Sequence, residues 1–307
     1  MELRLFHHFS TKTCLKMPAS ETAAGLRMWK TVVPRLAMQF PYVYFGILAV
    51  AAVHLLQTAD KSVALRTVAC QYMEEAVSLY RKDVGEISHE NAEARYITAV
   101  LLAMHAKIRA RYEGGTRIPY VPPVTYFVLQ IGARDLWFMD SYCGIEFKEW
   151  ILCYKQMHLP QYPSPQPCLE QYLLEDFQED PLLAFLGSTT KIELERKIVY
   201  THAMTYLELI KDCIRSGESA DWIRQRLSIA PCEFGNEFVS LMRSDDSIAM
   251  LILARFISLF TFVDQVWWLE GTAVHELNGI ASLIPEEWQW GMEWPLKILN
   301  NSSKHVG

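Results

Sequence analysis

Four side chains in this sequence have the chemistry to donate or accept a proton in a reaction: His8, His275, Asp264 and Glu270. His8 follows His7, and because neighbouring residues on a helix point about 100° apart, only one of the two can face a given pocket. Asp264 and Glu270 flank a tryptophan pair, where burial would raise the pKa of a carboxyl. Each of the four also has an ordinary alternative as a hydrogen-bonded core, capping or surface residue.

The motifs of several metal- and cofactor-dependent chemistries are missing from the sequence. No two histidines have the H-x-x-x-H spacing that places both on one helix face, and no two cysteines form a C-x-x-C pair. A G-x-S-x-G nucleophile elbow, a phosphate-binding loop and a dinucleotide-binding glycine fingerprint are also absent. We therefore expect neither a metal nor a cofactor.

Tryptophans are concentrated near the carboxy terminus, where five of the nine occur: Trp267, Trp268, Trp288, Trp290 and Trp294. Such rings can line a sterol-sized cavity, but they can equally anchor the last helices to the core or form a homodimer face. We predict a helix from Val266 to Ile284, with Trp268 buried at the cavity and Trp267 turned about 100° away. Gly271 is expected to allow a close approach of backbone or ligand, since it lacks a Cβ.

The elements that would position these residues are helices. Apolar residues recur at helical spacing most clearly over Asp60–Val84 and Ser88–Tyr112, with a start signal at Ser88. Further predicted helices cover residues 2–16, Ser20–Gln39 with a cap at Ser20 and an interruption at Pro34, a buried helix from Pro41, Val124–Asp140, Thr189–Ser216, Ser219–Ser228, Asp246–Asp264 and Pro285–Leu299.

No segment alternates apolar and polar residues between turn signals, so no strand is predicted. The predicted fold is all-α: a single helical-bundle domain over residues 1–299 with an internal apolar ligand cavity. A proline-rich loop is expected at about residues 155–181, and a disordered tail at residues 300–307.

Composition narrows the function classes. The 307 residues carry a net charge of −6 with no basic run, so we expect no direct binding of nucleic acid by this chain. Seven widely spaced cysteines indicate reduced thiols, as in the cytoplasm or nucleus, and the first residues do not resemble a signal peptide. The apolar run Phe45–Leu56 is shorter than the roughly 20 residues that cross a bilayer. No membrane span is therefore predicted.

Three parts of the chain resemble one family, the fungal-specific transcription factor domain that follows Zn2Cys6 DNA-binding clusters, and in particular its sterol-uptake-regulator branch. They are an opening part, a middle helix pair and a closing part: Glu2–Thr11 with Trp29–Pro34 and Pro41–Leu55; Tyr72–Ala76 with Glu90-Asn91; and Trp267–Gly271 with Glu286–Trp290 and Glu293–Pro295. The order is that of the family. The segment from Gly114 to Asp180 carries no matching motif.

This resemblance implies a helical regulatory domain that senses an ergosterol-like molecule. Two departures limit the comparison. Thr272 stands where the family usually has a tryptophan, and no Cys-x2-Cys-x6-Cys cluster precedes the domain. The sequence is therefore expected to be either an excised fragment or a natural chain without a DNA-reading module.

Two functional hypotheses follow. In the first, the chain is a sensor whose partner is an apolar small molecule, sterol-like or terpenoid-like, that shifts an equilibrium between two states. The residues expected to contact it are Phe6, Trp267, Trp268, Gly271 and His275. In the second, the fold is a cofactor-independent cyclase or isomerase of secondary metabolism, assisted by His8, His275, Asp264 or Glu270.

Overall fold

The computed structural model describes residues 1–58, 62–83, 85, 87–113, 120–137, 143–156, 180–190 and 192–303. Every regular element in these ranges is helical, which confirms the all-α prediction. The α-helices are α1 Glu2–Thr11, α2 Ala23–Arg27, α3 Val33–Gln39, α4 Pro41–Thr58, α5 Val63–Lys82, α6 Ala92–Glu113, α7 Val124–Trp137, α8 Ile145–Gln156, α9 Pro181–Ser188, α10 Leu194–Arg215, α11 Ala220–Arg243, α12 Ser247–Ser258, α13 Thr272–Leu283 and α14 Glu293–Ser303. A π-helical turn, Met28–Val32, joins α2 to α3, and short 3-10 helices cover Thr13–Lys16, Leu259–Phe262 and Glu286–Met292.

The chain divides into two compact units. Unit 1 contains Met1–Gly115, Thr125–His158 and Val266–Trp268, and unit 2 contains Thr116–Val124, Leu159–Gln265 and Leu269–Gly307. The prediction of a single domain over residues 1–299 stays a prediction.

Unit 1 is built around α4. This helix is apolar on every side and is buried from Gly46 to Leu56 between α1, α3, α5 and α6. A side chain would fit poorly at Gly46, since an added Cβ would lie 3.1 Å from a methyl carbon of Leu101 on α6. The helix is long and apolar enough to cross a membrane, but its burial is that of a core helix, as the sequence predicted.

The flanking helices α5 and α6 begin at polar caps. Ser62 accepts a hydrogen bond from the Leu65 backbone N–H at the start of α5. Before α6, the Ser88 backbone N–H donates to the Asn91 side chain, so the start signal at Ser88 is confirmed. α5 buries one face against α4, which leaves a second face toward α6 and solvent.

Unit 2 contains a buried charge cluster that holds α9, α10 and α12 together. The Arg255 guanidinium donates to both carboxylate oxygens of Asp180, at distances from 2.6 to 2.9 Å, and to the backbone oxygens of Leu251 and Gly291. Lys211 Nζ lies 3.4 Å from the same carboxylate. Burial alone would raise the pKa of Asp180, but the hydrogen bonds and charge of Arg255 outweigh it and hold the pKa below its usual value.

Several predicted boundaries are wrong for identifiable reasons. The predicted helix Val266–Ile284 begins only at Thr272, because Gly271 takes φ = 72° at its N-cap and the residues before it form turns. The cap of the second segment is Thr22, which accepts from the Gly25 N–H, and not Ser20. The predicted Ser219–Ser228 continues through Pro231 to Arg243, with a kink at Gly235, where φ is 80°.

Other differences concern segments without strong periodicity. α8 and α9 were not predicted, although Asp180 caps α9 and Pro181 occupies its first turn. The expected loop at 155–181 overlaps α8 and α9 at its ends, and residues 157–179 lie outside the described ranges. The tail predicted to begin at residue 300 is helical through Ser303.

Candidate functional site

Two of the candidate residues in unit 1, His8 and Trp267, lie beside His54. Its ring lies against the Trp267 indole, with centroids 4.6 Å apart, and 5.0 Å from the His8 ring. His54 Nδ1 and the buried Thr13 hydroxyl share a hydrogen bond of 2.8 Å. The sequence therefore named two members of this cluster, His8 and Trp267, while Thr13 carried no signal that would have found it.

Electrostatics make this cluster a poor proton donor. Burial is the main cause that lowers the pKa of His54 to about 4, and the positive charges of His8 and Lys16 add to it. Burial and then the charges of Arg4, Lys12 and His7 also lower the pKa of His8. Both shifts favour the neutral imidazoles at pH 7, and the predicted catalytic role of His8 stays a prediction.

Trp267 and Trp268 are both buried, but they do not share a helix. They lie in the turn that precedes Gly271, so the predicted 100° relation between them is wrong, whereas the burial of Trp268 is confirmed. The Trp267 indole N–H donates to the Lys16 carbonyl at 3.1 Å. Lys107 Nζ lies 5.0 Å from the centroid of the Trp268 ring, a cation–π distance.

Phe6 is half-buried and contacts a different part of unit 1. Its ring centroid is 6.0 Å from that of Tyr44, whose hydroxyl donates to Glu2 at 2.9 Å. This places Phe6 beside an aromatic and acidic surface pair. Its predicted role in ligand binding stays a prediction.

The candidates in unit 2 fall on both sides of Gly271. Among the described residues, nothing lies within 4 Å of the position of a Cβ on Gly271, so the predicted close approach of a neighbouring helix is wrong there, while the predicted approach of a ligand stays a prediction. The left-handed backbone favours glycine at this position. Glu270 is exposed. Asp264 is half-buried, and burial, with the charge of Glu270 adding, raises its pKa.

His275 lies beside a buried hydrogen-bonded pair that sequence reasoning missed. The Tyr120 hydroxyl donates to Glu276 Oε2 at 2.6 Å, and the Tyr120 and His275 ring centroids are 6.2 Å apart. Burial, the Glu276 charge and this hydrogen bond raise the pKa of Tyr120. The glycine at 279 makes room for the ring, because a Cβ there would lie 2.1 Å from it. Tyr120 lies between Pro119 and Pro122 in a segment without helical periodicity, so no pattern pointed to it.

Thr272, the departure from the family pattern, is buried with its hydroxyl oxygen unpaired among the described residues. A tryptophan at this position would bring a much larger side chain into the same space. The substitution therefore changes both the volume and the polarity of the interior at the start of α13.

An open cleft of about 550 Å³ lies between α5 and α6. None of the site residues predicted from the sequence lines it. Its lining consists of Cys70, Met73, Glu74, Val77, Ser78, Arg81, Lys82, His105 and Arg109. Met73 and His105 are buried, and Cys70 and Val77 are half-buried, so the inner wall is largely apolar. Arg81, Lys82 and Arg109 are exposed.

The volume and lining of this cleft suit a small molecule. Ligand sites are clefts of roughly 300–1,000 Å³ with apolar walls and a few polar groups. Cys70, Val77 and Arg81 line the cleft at helical spacing along α5, and this spacing is a partial sequence signal for it. Within the described ranges, no three His, Cys, Asp or Glu side chains are grouped to hold a metal ion.

Comparison with known proteins identifies the part of the chain that contains this cleft. Residues 4–134 match the model of the fungal specific transcription factor domain. Residues 4–134 of the chain are therefore similar to this domain. All the residues that line the α5–α6 cleft lie inside the matched part of the transcription factor domain. The resemblance predicted from the sequence is thereby confirmed.

Individual fungal transcription factors are similar over different shares of the chain. A Zn(2)-C6 fungal-type transcription factor of Gibberella zeae is 27% identical across 97% of this chain, and the match covers 61% of that protein. The Zn(2)-C6 fungal-type transcription factor afumD of Aspergillus fumigatus is 33% identical over 33% of this chain and 27% of its own length. Sterol uptake control protein 2 of Saccharomyces cerevisiae is 30% identical over 37% of this chain and 12% of its own length. The chain thus spans only part of these relatives.

Proposed function

We propose that the chain is a ligand-sensing regulatory domain of a fungal transcription factor, acting in the nucleus, and that its ligand is a lipophilic small molecule of sterol size. The observation that carries this proposal is the α5–α6 cleft, whose apolar wall lies inside the transcription factor domain. The name of the yeast relative, a sterol uptake control protein, supports a sterol-like ligand.

Sensing requires that the ligand bind one state of the domain better than another. The position of the cleft supports such a mechanism, because its two walls belong to different helices, α5 and α6. A ligand that fills the space between them favours the helix separation seen here over a collapsed one. α5 also packs along α4, so a shift of α5 would reach the core of unit 1.

The candidates for the enzyme hypothesis lie elsewhere, since none of His8, Asp264, Glu270 and His275 lines this cleft. The carboxy-terminal pocket around Trp268 and Gly271 and the homodimer face stay predictions.

Thermal unfolding of the purified chain with ergosterol tests the proposal. A ligand present at 100 times its Kd stabilises the folded state by about 2.7 kcal/mol, which raises Tm by roughly 5 °C. The same titration with octyl glucoside, an amphiphile without the ring system, controls for detergent effects. The proposal fails if neither ergosterol nor a charged derivative of it changes Tm.

A further inference from the structure

We infer that the α5–α6 cleft takes a lipophilic anion: an apolar body with an acidic group, such as a carboxylate or sulfate, at one end. This rests on the proposed function, since it names the chemical class of the ligand at the same site. The observation behind it is the uneven distribution of charge over the lining.

Three cations and one carboxylate line the cleft. Arg81 and Lys82 come from the end of α5, and Arg109 comes from α6, while Glu74 is the acidic member of the lining. Neither Arg81 nor Lys82 forms an ion pair with another described residue. Their charges are exposed at the cleft and available to an anion.

The cations and the apolar wall together define an amphipathic ligand. The helix dipole favours cations in the last turn of α5, but it does not require an arginine of α6 to face the same cleft. Met73 and Val77 offer an apolar surface to the body of the ligand. A neutral sterol would use only the wall and would leave Arg81 and Lys82 without a counter-charge.

The sequence as a whole is acidic, with 35 Asp and Glu against 29 Lys and Arg. Long-range attraction of the whole chain for anions is therefore weak, and a local cluster of cations must supply selectivity. Salt screens such exposed charges over about 10 Å at 0.1 M ionic strength. Binding of the anionic ligand should accordingly weaken as salt is added.

The test compares two probes that share the same apolar sterol body, ergosterol and ergosteryl hemisuccinate. Only the hemisuccinate carries a carboxylate. We expect the hemisuccinate to bind about 10-fold more tightly at 0.05 M NaCl, with the advantage reduced at 0.5 M NaCl. Equal affinity of the two probes at low salt would overturn the inference while leaving the proposed function standing, whereas binding of neither probe would reject both.

A charge-reversal variant tests whether the preference for the hemisuccinate arises in the α5–α6 cleft. Arg81→Glu should remove most of the preference for the hemisuccinate. The matched control is Arg243→Glu, since Arg243 is also an exposed arginine in the last turn of a helix but lies in unit 2. A preference that Arg81→Glu leaves unchanged, or that Arg243→Glu reduces equally, would contradict binding in this cleft. Thermal unfolding of both variants without ligand verifies that they are folded.

Discussion

His54 packs against the indole of Trp267 with ring centroids 4.6 Å apart, although the two residues are more than two hundred positions apart in the sequence. The contact joins the central helix α4 to the Val266–Trp268 segment within unit 1. Thr13 completes the arrangement through its hydrogen bond to His54. Trp267 therefore has structural partners within unit 1, and its predicted contact with a ligand stays a prediction.

Stability should fall with acidity because of His54. Its pKa is lowered to about 4 in the folded state from an ordinary value of 6.5, so the unfolded chain binds more protons between these values. The stabilisation is fully present above pH 6.5 and is lost as pH falls toward 4, by at most about 1.4 kcal/mol per pH unit from this group. Urea unfolding between pH 7.5 and 5 measures the slope.

His54→Asn retains a polar partner for Thr13 but cannot titrate, so its slope should be smaller. His202→Asn, at an exposed histidine of α10, should keep the original slope. Identical pH dependence in all three proteins would show that His54 does not control it.

Trp268→Phe distinguishes ligand binding in the α5–α6 cleft from ligand binding in the predicted carboxy-terminal pocket. The indole is buried and lies under Lys107, so the smaller ring should lower stability by on the order of 1–2 kcal/mol. Because Trp268 does not line the cleft, the Kd for ergosteryl hemisuccinate should change less than twofold. A large loss of affinity would instead place the ligand beside Trp268.

Gly271 should tolerate asparagine better than valine. Its φ of 72° is costly for a β-branched residue and less so for asparagine, whereas space is not limiting. Gly271→Val is therefore expected to lower the free energy of unfolding by about 1–2 kcal/mol more than Gly271→Asn. Equal losses in denaturant unfolding would mean that the left-handed backbone is not the reason for glycine.

Asp180→Asn should be among the most destabilising single changes in unit 2. It removes the counter-charge of Arg255 and Lys211, both fully buried, and breaking a buried pair in this way costs about 3–5 kcal/mol. Glu146→Gln, which breaks an exposed pair with Arg35, should cost less than about 1 kcal/mol. Chemical unfolding of the two variants gives the comparison, and similar losses would argue against an energetic role for the buried cluster.

Periodicity predicted the long helices because the pattern of buried residues is regular along the whole of each helix. α5 and α6 begin and end close to the predicted residues, and α4 is buried on all sides, as its uninterrupted apolar run indicates. α9 has a local start signal in Asp180 and Pro181, but it is only eight residues long, which is too short for helical periodicity to stand out. The burial of Asp180 against Arg255 and Lys211, by contrast, depends on residues far along the chain.

The candidate site was harder to predict than the fold. The sequence indicated tryptophans as ligand-binding residues because they are large and apolar. In the structure, Trp267 packs against His54 and donates a hydrogen bond to the Lys16 carbonyl. The cleft instead depends on a stripe of α5 that faces α6 without filling the space between them. Spacing shows which residues share that stripe, but the gap itself arises from tertiary packing.

The most direct measurement of the central claim is the affinity of ergosteryl hemisuccinate for a chain whose cleft has been filled. Ser78→Trp places a large ring in the α5–α6 cleft, and Ser240→Trp makes the same change at an exposed serine of α11 as a control. Equilibrium titration should give at least a 10-fold higher Kd for Ser78→Trp and an unchanged Kd for Ser240→Trp, with both variants folded by circular dichroism. An unchanged Kd for folded Ser78→Trp would contradict the assignment of the ligand to this cleft.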